Sequence, residues 1–242
     1  MTLHSIDDSQ RKAARIAGLA CLISFAIVIA VNFGIFARLI IHGNPAETAR
    51  NILAHETLFR IGIVGDMLYS VGVIILLAAL YIILKPVNQN LALIAAFGRL
   101  VHALTWLLVT LNLFTALRLL NDSDYARAFM PDQLPVLVRL YLTGYDQYYV
   151  GLLFWSLSSA VVSYLWLKSN YIPKSIAAFG ILSSVWCVVC TILLYIFPDF
   201  AEIVNLWWFD SAMTIFEIVV SILLLFRGLK KSEIAGPGPV SG

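Results

Sequence analysis

The chain has 242 residues, 61% of them hydrophobic and 12% charged, with 16 Lys or Arg against 14 Asp or Glu. A soluble domain carries about 25% charged residues, so half that share, at a mean hydropathy of +0.89, describes an integral membrane protein. This composition excludes intrinsic disorder, and a net charge of +2 without a basic stripe excludes nucleic acid as a partner.

A helix needs about 20 mainly apolar residues to cross a hydrocarbon core of about 30 Å. Six runs reach that length: 16–41, 58–84, 91–117, 144–168, 173–197 and 206–228. They predict an all-α fold, a polytopic bundle of six transmembrane helices over residues 16–228, with short interfacial helices in the outer loops. A cytoplasmic segment, 1–15, precedes the bundle, and a disordered cytoplasmic tail, 229–242, follows it.

The first run follows Arg11, Lys12 and Arg15, as a secretory signal would, but it is much longer than the roughly 7–15 apolar residues of a cleavable one. It is read as a retained helix. Before the second run, Asn44 suits an N-cap, Pro45 the first helical position and Glu47 the capping-box acid, so a short interfacial helix is expected over 45–55. In the second run Asp66 stands eight residues from the outer end, in line with His55 and Gly62. The tight loop 85–90 suits antiparallel neighbours. In the third run Arg99 stands eight residues from the inner end and shares a helix face with His102, Thr105 and Trp106.

The second outer loop, 121–143, carries Asp122, Asp124, Asp132, Pro131 and Pro135. It leads into Tyr141, Tyr145, Tyr148 and Tyr149, an interfacial belt. The serines of the fourth run (Ser156, Ser158, Ser159, Ser163) read as small packing residues. Cys187 and Cys190 form a C-x-x-C deep in the apolar fifth run, where nothing stabilises a thiolate, so they read as packing rather than redox groups. In the sixth run Glu217 lies 11 residues from each end, and Asp210, Thr214, Glu217 and Ser221 form a polar stripe at helical period.

All six lysines fall on one side of this topology, and the positive-inside rule therefore places both termini in the cytoplasm. An intramembrane Asp, Lys or Arg costs about 2.5–3.5 kcal/mol on insertion scales, so it normally faces a partner within the bundle. Three charges lie that deep: Asp66, Arg99 and Glu217. The rise of about 1.5 Å per residue places Asp66 and Arg99 at matching depths from opposite surfaces, with His102 and Glu217 between them. One buried constellation of Asp66, Arg99, His102 and Glu217 is expected, lined by Tyr69, Trp106 and Thr214. Asp210 and Arg60 are counted with the ligand-binding residues, although Arg60, with Arg38 and Arg50, also marks the outer interface. No metalloprotease, P-loop, dinucleotide or G-x-S-x-G motif occurs, and His102 alone is deep enough to hold a haem, so neither metal nor cofactor is expected.

Several segments carry a family pattern. They are Arg11-Lys-Ala-Ala-Arg-Ile-Ala-Gly18, Asn51-Ile-Leu-Ala-His-Glu-Thr-Leu-Phe-Arg60 leading to Asp66, Ala79-Leu-Tyr81 with Lys85-Pro-Val-Asn88, Leu91-Ala-Leu to Phe97-Gly-Arg99-Leu, and Tyr164-Leu-Trp-Leu-Lys-Ser-Asn-Tyr-Ile-Pro173. With them the chain resembles the bacterial membrane family catalogued as domain of unknown function 4386, over roughly residues 11 to 228. The resemblance implies a six-helix domain in the bacterial inner membrane and no particular reaction.

Three classes of function fit these residues. The first is binding, or conversion by proton transfer, of a small amphiphilic or lipid-like molecule. There Glu217 is the general acid, Asp66 or His102 the base, and Arg99 the group that holds negative charge. The second is a proton-linked transporter in which Asp66 and Glu217 carry protons and a homodimer completes the path. The third is a structural or signalling membrane protein without catalysis, in which the buried ion pair is only glue. Membrane lipids are partners in all three.

Overall fold

The computed structural model describes residues 6–41, 43–121, 133–142, 146–197, 199–205 and 207–230. The acidic stretch with Asp122, Asp124 and Asp132, Tyr145 and the tail beyond Lys230 lie outside them. Helix is the one regular secondary structure among the described residues. Six helices there are long and apolar enough to cross a membrane, which makes this a multi-pass membrane protein.

Helix α1 runs over Asp8–Leu39. It starts well before the apolar run because the sequence supplies a cap. Asp7 Oδ1 accepts from the Gln10 backbone N–H at 2.6 Å, and Gln10 Oε1 accepts from the Asp7 N–H at 3.3 Å, a reciprocal capping box. Near its C-terminal end the helix widens into a π segment, Ala30–Phe36, before closing with Ala37–Leu39. Helix α2, Pro45–Ala54, has the expected cap: Asn44 Oδ1 accepts from Glu47 N–H at 3.1 Å, and Pro45 opens the helix.

The helices that follow are α3 (Glu56–Leu84), α4 (Gln89–Asn121), α5 (Gln133–Leu142), α6 (Asp146–Ser169), α7 (Lys174–Ile196), the single turn α8 (Phe200–Ile203) and α9 (Trp207–Phe226). Asn88 caps α4 through Leu91 N–H at 3.0 Å. Asn170, at φ 55°, turns the chain out of α6, and Gly228, at φ +67°, follows α9. Both are left-handed positions that Asn and Gly tolerate at helix ends.

The chain divides into two compact units, 1–22 with 73–102 and 152–242, and 23–72 with 103–151. In the first unit α7 lies along α9. Small residues let backbones approach there. A methyl at Gly18 would stand 2.5 Å from the Ser221 carbonyl oxygen, and one at Gly98 would stand 3.3 Å from the Phe154 carbonyl oxygen. Ser158 Oγ donates to the Ala95 carbonyl at 2.6 Å across the same α4–α6 contact. Buried Gln10 ties the N-terminal turn to the Ile83 carbonyl at 3.1 Å and to the Tyr171 hydroxyl at 3.2 Å. In the second unit α2 lies against α5, over a core that includes Ile52, Phe59, Ile63, Leu117 and Leu142. Phe36 and Val31 of the π segment cover Gly62 and Gly65 of α3. In both units large apolar side chains such as Ile61, Leu68, Leu108, Leu182 and Ile215 point outward, the pattern expected where the surroundings are hydrocarbon.

Candidate functional site

In the first unit α4 and α9 bring Arg99 and Glu217 together. Both are buried, with side chains 5% and 8% exposed. The guanidinium forks onto the carboxylate: Arg99 Nη1 donates to Glu217 Oε2 at 3.1 Å, and Nη2 donates to Oε1 in a shorter contact. Such a planar, two-point match is the geometry that makes Arg–carboxylate pairs strong. Helix α6 adds two more donors to Oε1, Trp155 Nε1 at 2.8 Å and Ser159 Oγ at 3.3 Å.

Trp155 is the hub of this cluster. Arg99 Cζ lies 5.9 Å from the Trp155 ring centre, a cation–π distance, and His102 stacks on the same indole at 5.3 Å and 28°. Thus Arg99, Glu217 and His102 are brought together, with His102 joined to the pair through the indole. Sequence reasoning missed Trp155 and took Ser159 for packing. The signal available was their i, i+4 spacing, which sets an indole N–H and a hydroxyl on one face of an apolar helix.

Arg99 also lines a crevice walled by Leu77, Leu80, Leu84, Ala95, Ala96 and Val162, among other residues. About 230 Å³ there is free of protein atoms, part of it open to the surroundings.

The other expected site residues are placed differently. Asp66, Tyr69 and Trp106 belong to the second unit. Asp66 is 2% exposed, and no described group donates to its Oδ1. The Trp106 side chain lies near its carboxyl. Tyr69 packs on the Trp106 ring with centres 4.6 Å apart, and Tyr148 meets that ring edge-on at 5.7 Å. On α9 the stripe grades outward: Glu217 and Ser221 are buried, whereas Thr214 and Asp210 are half-buried. Arg60 joins neither cluster. It is exposed at the start of α3 and donates through Nε to Glu56 at 2.7 Å, one helical turn away. Cys187 and Cys190 are buried free thiols.

The family model described as Domain of unknown function (DUF4386) matches residues 16–228. No curated protein matches the chain, and no solved structure matches it.

Proposed function

The chain belongs to this family of unknown function, and we propose that within it the protein binds a small amphiphilic molecule, its tail in the apolar crevice and its polar or anionic head against Arg99. One observation carries the reading: the crevice is walled mainly by apolar side chains, and buried Arg99 is among the residues that line it. Pockets for small ligands are mostly apolar with a few placed polar groups. In this reading Glu217 is the group that orients Arg99, since both of its oxygens accept hydrogen bonds. Conversion of the ligand by proton transfer then falls to His102. In this reading both termini lie in the cytoplasm, which the lysine distribution supports, and the membrane is a bacterial inner membrane.

The crevice gives the test. Ala96 is half-buried at its wall and takes no part in the ion pair. The Ala96→Trp variant should weaken binding of a spin-labelled fatty acid at least tenfold while the thermal unfolding midpoint stays within a few degrees. Equal fatty-acid binding by this variant and the wild type would remove the reading.

A second reading has its own support, because the Glu217 carboxylate gathers donors from two other helices, α4 and α6. That arrangement suits a register lock with no ligand. Under it the Arg99→Met/Glu217→Met pair, apolar and close in volume, restores folding, and the protein shows no saturable fatty-acid binding with or without the substitution.

A further inference from the structure

The second unit contains a buried acid beside an aromatic cluster, and the cluster takes no part in the crevice. Asp66 is 98% shielded, yet its Oδ1 receives no hydrogen bond from any described residue. A buried carboxylate oxygen without a donor is costly, and buried intramembrane acids normally have a partner. Around it the chain supplies ring faces. Tyr69 lies three residues along the same face of α3, Trp106 comes from α4, and Tyr148 from α6. Tyr69 and Trp106 meet at a tilt, 4.6 Å and 50°, Tyr148 stands edge-on to Trp106 at 5.7 Å and 74°, and Tyr149 continues the series at 5.4 Å from Tyr148. Trp106, Tyr148 and Tyr149 are each half-buried, so the cluster has an accessible side, whereas Tyr69 and Asp66 form its floor.

Aromatic faces attract cations through the ring quadrupole, and several faces meeting near one acid are how alkylammonium groups are recognised. We propose that Asp66, Tyr69, Trp106 and Tyr148 form a binding site for an organic ammonium group. The cation supplies the charge partner that Asp66 lacks among the described residues, and its alkyl substituents lie on the rings. Two sources carry this chemistry, the ammonium headgroup of a phospholipid and a free lipophilic amine or quaternary ammonium compound. The site is independent of the amphiphile reading, which rests on Arg99 in the other unit.

The experiment uses the full chain in nanodiscs of phosphatidylglycerol and follows tryptophan fluorescence during titration with benzyltrimethylammonium. Saturable quenching is expected, and the neutral isostere neopentylbenzene should not reproduce it. Asp66→Asn should weaken the ammonium ion at least tenfold, and Asp66→Glu should retain it within a few-fold. Should the Asp66 variants fail to fold, Tyr148→Ala, at the accessible side, should still weaken binding about threefold or more. Discs that also contain phosphatidylethanolamine separate the sources. A headgroup source lowers the apparent affinity for the added ammonium at least threefold, and a free ammonium source leaves it unchanged. Quenching that does not saturate, that neopentylbenzene matches, or that neither Asp66→Asn nor Tyr148→Ala weakens would overturn the proposal.

Discussion

Arg99 and Glu217 are each worth more as a pair than alone. Removing one partner from a buried pair strands the other charge and costs about 3–5 kcal/mol, whereas an apolar replacement of both is often neutral. Arg99→Ala and Glu217→Ala should therefore each lower the unfolding midpoint sharply, and Arg99→Met/Glu217→Met should recover most of the loss in the same thermal assay. Trp155→Phe keeps a ring beneath Arg99 and His102 but deletes the N–H that donates to Glu217 at 2.8 Å. Its expected cost is about 1–3 kcal/mol, read as a midpoint shift smaller than that of Glu217→Ala. That Arg99 needs a buried acid was legible because few charges lie deep, and arithmetic on helical rise set both Asp66 and Glu217 at workable depths without choosing between them. Trp155 was not legible in that way. An indole in an apolar helix looks the same whether it fills space or donates a hydrogen bond, and only the partner helix decides. Arg60 was counted with the ligand-binding residues and also as an interface marker; it is exposed and pairs within its own helix with Glu56, four residues earlier.

At the scale of the helix, apolar runs located the six spans but understated the start of the first three and overstated both ends of the fifth and sixth. Hydropathy marks where a helix enters hydrocarbon, whereas hydrogen bonding determines where it begins. The first helix shows the difference, since the Asp7 and Gln10 cap starts it in a polar stretch. Asp7→Ala should cost about 1 kcal/mol and speed hydrogen exchange over the first turns of α1, with little change in α9. The contact between α1 and α9 depends instead on Gly18, where a side chain would strike the Ser221 backbone. Backbone cannot yield as a flexible side chain can, so Gly18→Leu should separate the two helices. It should lower the midpoint by more than Asp7→Ala, and Gly34→Leu, at a position with open space, should not. The α2 cap was readable in advance because Asn44, Pro45 and Glu47 lie next to one another in sequence. Close approaches between distant helices leave no such local trace.

Over the whole molecule the six apolar helices make a membrane protein, and the lysines supply a direction. The described cysteines, Cys21, Cys187 and Cys190, are all buried, which gives a low background for surface labelling. A cysteine at Glu47 should react with an impermeant maleimide added to intact cells, and one at Asn88 should react only after the membrane is opened. The reverse pattern would invert the topology. The sequence suggested one site from four deep or central groups. The folded chain assigns three of them to one compact unit and Asp66 to the other, a division that depth along a helix axis cannot reveal, because depth carries no information about neighbours.

The π segment Ala30–Phe36 changes how the first span must be drawn. Each ring in such a segment closes one residue later than in an α-helix, so the turns before Ala30 and those after Phe36 are out of angular phase. A single helical wheel over Asp8–Leu39 would assign outer residues to the wrong face. Two wheels are needed, one for each side of the segment. Any cross-link, spin label or cysteine scan along this helix must be phased separately on either side of it.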